Sequence, residues 1–404
     1  MLMDNAPVPL APTVGRPVAL FFHRLGTRGG GAQYIVCALA NALCERGFAV
    51  HVITWDEPEA RAFYALDPRV IWSRLGFRPG ATDKVRRMRA LARLLVENGV
   101  RVLVGFVMAP EKTVFAAAKL AGVRLIAAER NAPSMYSLRY GFARRWLSFG
   151  MLHLADCIAV QMPDFTAGYP ASLRNRIEVI PNPVPIAKRR ARPDWVGLDG
   201  RFKLLAVGRL DLAQKRHDCL VGAFAKVASD HPAWDLYILG DGPNLQALRR
   251  LAGEKGVVER MHFLPWTSDI SEVYASSHLF VMPSLWEGFP NALAEAMSHG
   301  LPAIGFREAA GVAQLIDNGE TGWLADGLND EVNLARVLFA AMADREQRAR
   351  RGARAAESMA VYAPETQFDS WARLIGTLMD GKGRPSYLSS LAWKMNHPSD
   401  VTWF

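Results

Sequence analysis

The sequence of 404 residues is poor in cysteine, and its four cysteines are not arranged for chemistry. Cys37, Cys44, Cys157 and Cys219 form no Cys-x-x-Cys pair, and no histidine cluster accompanies them. This disfavours a disulfide framework or a zinc site and leaves buried, reduced thiols as the expectation. No apolar run reaches the ~18 residues of a membrane span. Residues 1–15, rich in proline and alanine, lack a basic stretch followed by an apolar one, so no secretory signal is expected and the segment should fray. Asp-x-Asp is absent throughout, which argues against a metal-bridged diphosphate site. So are Gly-Lys-Ser/Thr and the usual Gly-x-Gly-x-x-Gly, which disfavours a triphosphate P-loop or a dinucleotide fingerprint.

What is present is an ordinary globular balance, 50% hydrophobic and 22% charged, with material for two domains. The net charge of +9 is unevenly placed. Residues 1–185 carry 23 Lys and Arg against 13 Asp and Glu, whereas residues 186–404 carry 25 against 26. A basic first half suits nucleic acid, an anionic membrane or a phosphorylated substrate, and composition does not choose among them.

Hydrophobic periodicity alternates between short apolar runs and amphipathic stretches. Strands are expected at Val18–Phe22, Ala49–Thr54, Val100–Phe106, Arg124–Ala127, Cys157–Val160 and Ile177–Ile180. Helices are expected at Ala32–Arg46, Asp83–Asn98, Glu111–Ala121 and, as one long stretch, Leu138–Ala155. Pro181-Asn182-Pro183-Val184-Pro185 and the basic run Lys188–Arg192 read as a linker. The alternation then restarts, with strands at Lys203–Val207, Leu236–Leu239, Met261–Leu264, Leu279–Pro283 and Pro302–Phe306 and two or three helices over Glu331–Met379. This is an α/β chain of two parallel-sheet domains, joined near residue 190. The expected divisions are a flexible start over 1–15, one domain over 16–185, another over 186–379, and a tail over 380–404 without clear periodicity.

Three constellations could carry chemistry. Glu287-Gly288-Phe289-Pro290-Asn291 follows a strand and opens a helix, with Pro290 as its first residue and Gly300 its terminator. Free N–H groups at that start attract an anion, and Glu287 and Glu295 offer carboxylates for sugar hydroxyls. Two ordinary helix-start glutamates would read the same. Arg209, directly after a strand, and Lys215, near the next helix start, would suit a diphosphate, Arg by its planar fork and Lys as a point charge. A solvated basic loop is the other reading. Arg28-Gly29-Gly30-Gly31-Ala32-Gln33 would let backbone approach a ligand, or would be a tight turn only. Gly240-Asp241-Gly242-Pro243 is most simply a turn into a helix.

Together, in this order and spacing, these residues resemble the family 4 retaining glycosyltransferases over about Val18 to Met379. The family pattern is met by the glycine-rich Gly29–Gln33, by Pro181-Asn182-Pro183-Val184, by Gly208-Arg209-Leu210 with Lys215, by Gly240–Pro243, and by Glu287 and Glu295 as Glu-x7-Glu. The resemblance implies a GT-B fold, two Rossmann-like domains facing an interdomain cleft. The N-terminal domain would bind acceptor and the C-terminal domain a nucleotide sugar. Arg209, Lys215 and Glu287 would be the catalytic group. The donor would be held by Gly30, Gly31, Arg209, Lys215, Glu287, Gly288, Phe289, Asn291 and Glu295, with Glu295 on the ribose and backbone N–H groups near Phe289 and Asn291 on the sugar. No cofactor and no metal are implied, and the leaving phosphate itself would accept the acceptor's proton.

One departure is the run Glu129-Arg130-Asn131, where many relatives place a histidine. It is similar to a subgroup that builds bacterial surface polysaccharides and lipid-linked oligosaccharides. Arg130 and Asn131 are therefore the candidates for touching sugar or acceptor, with Arg130 as a structural ion-pair partner the alternative. The implied reaction moves a hexose or N-acetylhexosamine from a UDP-sugar, in preference to a GDP-sugar, to a glycan or polyprenyl-diphosphate-linked acceptor. A cytoplasmic protein is expected, peripheral on the inner face of the membrane. Arg86, Arg87, Arg89 and Arg93 on one helix, and Arg139, Tyr140, Phe142, Arg144, Arg145, Trp146 and Phe149 on another, suit an anionic lipid surface. A solvated basic face beside a buried aromatic seam fits equally. A sugar-nucleotide epimerase of the same fold and an inactive sugar-nucleotide binder are the rival readings. A nucleic-acid binder is disfavoured because no reading motif or stacking platform accompanies the charge.

Overall fold

The computed structural model describes residues 15–27, 30–77, 83–106, 111–196, 200–267 and 269–381. Most of the N-terminal stretch, Gly29 and the tail beyond residue 381 lie outside the described residues. The strands are β1 (Arg16–Phe22), β2 (Phe48–Thr54), β3 (Ile71–Arg74), β4 (Val102–Phe106), β5 (Arg124–Ala128), β6 (Cys157–Val160), β7 (Ile177–Val179), β8 (Phe202–Val207), β9 (Trp234–Leu239), β10 (Met261–Leu264), β11 (Leu279–Met282), β12 (Ala303–Phe306) and β13 (Gly322–Ala325). They form a seven-stranded sheet, β3-β2-β1-β4-β5-β6-β7, and a six-stranded sheet, β10-β9-β8-β11-β12-β13. The ladders between β1 and β2 and between β8 and β9 are parallel. Strands buried on both faces must be apolar throughout, and Val18 to Phe21 of β1 and Leu204–Leu205 of β8 are fully buried.

Both sheets share one winding. The first strand of each lies inside, with the next two strands on one side and the later ones on the other. The chain reverses its winding between β1 and β4, and again between β8 and β11. At such a switch point the loops leaving two neighbouring strands part company, which opens a crevice at their carboxyl ends.

By packing, the described residues fall into two compact units. One holds those up to Glu129, Gly150–Ile158 and those from Trp371 onward; the other holds Arg130–Phe149 and Ala159–Ser370. The last helix, Pro364–Met379, therefore does not belong wholly with the second half, where the sequence places it. Trp371 is buried beside Phe106, ring centroids 6.0 Å apart, and Arg101 donates to the Met379 carbonyl at 2.6 Å.

The helices expected at 32–46, 83–98 and 111–121 form as Gly31–Glu45, Lys84–Glu97 and Lys112–Ala121. The long stretch from Leu138 to Ala155 is instead two helices, Ser134–Arg139 and Phe142–Leu152. Tyr140 between them is extended (φ −122°, ψ 140°), and Gly141 follows it, a pair with poor helix propensity. Strands β3 and β13 have no counterpart in the sequence reading; both are short sheet edges with half-exposed residues. Arg87 does not join a surface cluster. It turns inward over the rings of Trp55 and Phe77, at 5.4 and 5.7 Å.

The linker is not a free tether. Ala187 donates to Ser298 Oγ, Arg190 Nη1 to the Ser298 carbonyl at 2.7 Å, and Ala191 to the His299 carbonyl at 2.7 Å. Just beyond, the fully buried Arg348 donates to the carbonyls of Pro193, Ala341 and Met342 at 2.8–2.9 Å. Its guanidinium lies about 5 Å from the Phe202 and Trp234 rings. Burial lowers its pKa to about 10, so it stays charged at neutral pH. All four cysteines are buried and none forms a disulfide; burial pushes the Cys37 thiol to about 11 and Cys219 to about 12.

Arg348→Leu keeps much of the volume but strands three buried carbonyls. It should cost about 3 kcal/mol, summed from typical penalties for unpaired buried groups, read by urea denaturation; an unchanged midpoint would show that the guanidinium does not hold this junction.

Candidate active site

The second sheet places its two chemistry-bearing loops side by side. β8 and β11 are neighbours, with Leu279 opposite Leu204. Gly208–Arg216 leaves β8, and Pro283–Pro290 leaves β11, both at the switch point. Each loop is held by backbone. Gly208 donates to Leu239, Leu210 to the Asp241 carbonyl at 3.0 Å, and Asn244 to the Leu210 carbonyl. A Cβ on Gly240 (φ +151°) would strike the Gly208 carbonyl, and one on Gly242 would lie 2.6 Å from the Leu210 carbonyl. The Gly-x-Gly-Pro motif is thus a buttress that lets two loop backbones touch.

Gln214 then stitches the two loops together. Its Nε2 donates to the Trp286 carbonyl and its carbonyl accepts from Leu285, both at 2.9 Å. From the other side Glu287 donates its N–H to the Ala310 carbonyl at 2.7 Å. The result is a nearly buried ion pair, Lys215 Nζ to Glu287 Oε1 at 2.6 Å, with side chains 14% and 10% exposed. Arg209 is not part of it. Its side chain is two-thirds exposed and lies 4.0 Å from Asp211.

Gly288 is forced to be glycine, because a Cβ would meet the Arg130 carbonyl and Gln161 Oε1. Phe289 is buried edge-on to Tyr362, so its ring is a core anchor. The helix starts one residue later than expected, at Asn291, with Pro290 as its cap and Gly300 in the left-handed region behind it. The Asn291 N–H is taken by the Phe289 carbonyl, so it is not the free donor that the sequence reading assigns. Among the described residues, the N–H groups of Ala292 and Leu293 in the first turn have no partner, as helix starts require. Asn182 links this helix to Arg130: its Nδ2 donates to Asn291 Oδ1 at 2.8 Å, and its Oδ1 accepts from Arg130 Nη1 at 3.1 Å. Arg130, also bonded to the Ala159 carbonyl, is buried. Asn131 is half-exposed.

Glu295 stands one turn into the helix. Burial pushes its carboxyl up to about 7, offset in part by the hydrogen bond that Tyr274 donates to Oε2 at 3.0 Å. Among the described residues Oε1 accepts nothing. His299, held below its ordinary pKa by burial, faces the Glu295 carbonyl with Nδ1 at 2.7 Å and Ser271 Oγ with Nε2 at 2.9 Å. A carbonyl only accepts, so Nδ1 carries the proton and Ser271 donates.

Sequence reasoning missed Gln214, Tyr274 and Gln161. Tyr274 lies on a separate helix, Ile270–Ala275, so no spacing signal links it to Glu295. Around these two loops, four buried polar atoms lack a partner among the described residues: Gln161 Oε1, Ser284 Oγ, Trp286 Nε1 and His217 Nδ1. Burial and the nearby Lys215 lower the His217 pKa to about 4. Ser284 and Trp286 lie on the β11 loop, Gln161 stands against Gly288, and His217 opens the helix after Lys215. Unpaired buried polar groups at one end of a sheet are what a polar ligand would satisfy.

Gly30 and Gly31 belong to the first unit. Gly31 opens its first helix, and Gly30 donates its N–H to Gln33 Oε1 while Gln33 Nε2 binds the Arg24 carbonyl and Thr27. Asp56 holds the turn from below by accepting from Leu25 and Gly26. Within its own unit nothing demands glycine at 30, where a Cβ would find only Gln33 Oε1 at 4.0 Å.

Two family models match the chain: "Glycosyl transferase 4-like domain" over residues 29–183 and "Glycosyl transferases group 1" over 201–344. An uncharacterized glycosyltransferase of Haemophilus influenzae is 26% identical over 78% of this chain and 88% of its own length. An exopolysaccharide phosphotransferase of Streptomyces coelicolor is 30% identical over 55% of this chain, which spans only 23% of that protein. Among solved structures, Anabaena HepE in complex with UDP and glucose superposes with a TM-score of 0.72 at 16% identity, covering 89% of this chain and 99% of that one.

Glu295→Gln keeps the acceptor for Tyr274 but removes a charge that folding desolvates. Because the folded pKa lies near 7, above the ordinary 4.5, the native state holds the proton more tightly than the unfolded chain, and wild-type stability falls as pH rises between those values. The variant should therefore match wild type below pH 4.5 and exceed it by about 3 kcal/mol above pH 7. Thermal melts at the two pH extremes check this; a variant equal or less stable at the upper end would contradict the burial of the charge.

Proposed function

Because the chain belongs to the family 4 glycosyltransferases of the GT-B fold, we propose that it transfers a hexose or N-acetylhexosamine from a nucleoside-diphosphate sugar to a glycan or polyprenyl-diphosphate-linked acceptor. We assign it to bacterial surface-polysaccharide assembly, at the inner face of the membrane and with retention of configuration. The observation that carries the reading is the Lys215–Glu287 pair at the switch point of the second sheet. A diphosphate arriving there brings two negative charges. Lys215, pre-paired in a site of low exposure, can exchange Glu287 for a phosphate oxygen without being desolvated anew. Glu287 is then released to accept from a sugar hydroxyl. Arg209, exposed on the neighbouring loop, supplies the second cation, and the free N–H groups of Ala292 and Leu293 supply neutral donors.

Charge that builds on the leaving diphosphate is met by fixed cations rather than by a metal. Glu295 takes the nucleoside ribose, its Oε1 accepting while Tyr274 holds Oε2. The uridine preference draws support from the UDP of the Anabaena neighbour. The polysaccharide role draws support from the exopolysaccharide relative. Gly288, kept small by the Arg130 carbonyl, fixes where the Glu287 backbone turns toward the sugar.

Lys215→Ala should lower the transfer rate by ~10²–10³ and abolish calorimetric binding of UDP-sugars, while thermal melts stay those of a folded protein. Wild-type protein that binds neither UDP- nor GDP-sugars would end the reading. Turnover of the sugar nucleotide to an epimer without acceptor would replace it with the epimerase.

A further inference from the structure

Two short helices that follow the Arg130–Asn131 loop present a face that is exposed among the described residues. Ser134–Arg139 buries Met135 and Tyr136, and Phe142–Leu152 buries Ser148, Phe149 and Leu152. Their opposite side leaves four large apolar residues in water within ten positions: Leu138 at 57% exposure, Phe142 at 78%, Trp146 at 48% and Leu147 at 50%. Among the described residues no stretch of ten outside this one carries more than two exposed large apolar side chains, and a cluster of this kind marks an interaction surface.

The charge on this face has one sign. From Pro133 to Leu154 the chain carries Arg139, Arg144 and Arg145 and no acidic residue. Arg144 lies over the Tyr140 ring at 4.3 Å, and Phe142 and Trp146 meet edge to face at 6.0 Å. An apolar strip that is aromatic at its centre and flanked by arginines matches the boundary of a bilayer. There Trp and Phe enter the headgroup region and guanidinium groups reach lipid phosphates. Phe142–Leu152 has 11 residues, about 16 Å of helix, too short to span the ~30 Å of hydrocarbon, so it would lie in the surface plane.

We propose that this helix pair, through Leu138, Phe142, Trp146 and Leu147, docks the protein on an anionic phospholipid bilayer, with Arg139, Arg144 and Arg145 binding its phosphates. The surface named here deepens the peripheral reading above. The helix pair begins three residues after Asn131, so docking would hold the Arg130–Asn131 loop close to the membrane, where a lipid-linked acceptor presents its diphosphate.

Co-sedimentation with vesicles tests this without using the transfer reaction, so its failure leaves the glycosyltransferase reading standing. Wild-type protein should pellet with phosphatidylcholine vesicles containing phosphatidylglycerol and stay in solution with phosphatidylcholine alone. Phe142→Ser/Trp146→Ser, both at exposed positions, should melt like wild type and bind about tenfold more weakly or worse. Arg144→Gln/Arg145→Gln should weaken binding and flatten its salt dependence. Wild-type protein that ignores anionic vesicles, or a double serine variant that pellets equally, would overturn the proposal. So would a dimer in sedimentation equilibrium that the serine variant dissolves without any vesicle binding, which would make the face a contact between copies of the chain.

Discussion

A lysine and a carboxylate taken out of water singly would each cost several kcal/mol, and together they are tolerable only if geometry is held tightly. The Lys215–Glu287 pair is therefore a demand on its surroundings, and much of the second unit meets that demand. Gln214 and Leu285 fix one loop to the other. Ala310 takes the Glu287 N–H. Gly311, in the left-handed region at φ +84°, lets its own backbone pass against the Glu287 carbonyl. The Lys215 stem packs against Gly208, its Cδ and Cε atoms 3.5 Å from where a Cβ would stand, an ordinary contact distance. The sheet order sets the starting point, since only the strands on either side of the winding reversal send their loops apart.

Glu295 shows the opposite economy. Its carboxyl gains no cation, only the Tyr274 hydroxyl, and burial raises its proton affinity until it is part-neutral at physiological pH. Natural sequences remove such groups from cores unless the group has work there. The site thus holds two acids eight residues apart with different means of being buried. One is charged and paired, the other is half-neutral and hydrogen-bonded.

Fold class was legible because parallel strands buried on both faces read as apolar runs, and β1, β8 and β11 fall where those runs lie. The five motifs were legible as residue types at fixed spacing, and the helix at Asn291 was placed by Pro290 and Gly300. What spacing cannot carry is contact between distant segments. Asn182, whose sequence neighbours suggest only a stiff linker, joins Arg130 to Asn291 across more than a hundred positions. Tyr274 reaches Glu295 from another helix. Gly240 and Gly242, readable as a turn, act through the backbone of a loop some thirty residues earlier. β3 and β13 escaped because half-buried edge strands lack an apolar run. The helix break at Gly141 escaped because aromatic and apolar residues continue at helical spacing across it.

The four cysteines, unremarked by any motif, make the chain a quiet background for chemical labels. A thiolate, not a thiol, attacks maleimides and disulfides, and thiols raised to about 11 and about 12 at Cys37 and Cys219 carry almost no thiolate at neutral pH. Cys44 is likewise raised and Cys157 is sealed in β6. A single cysteine introduced on an exposed helix would stand alone against this background. Fluorophores or spin labels could then follow a chosen position in the native sequence, with no need to strip out its own thiols first.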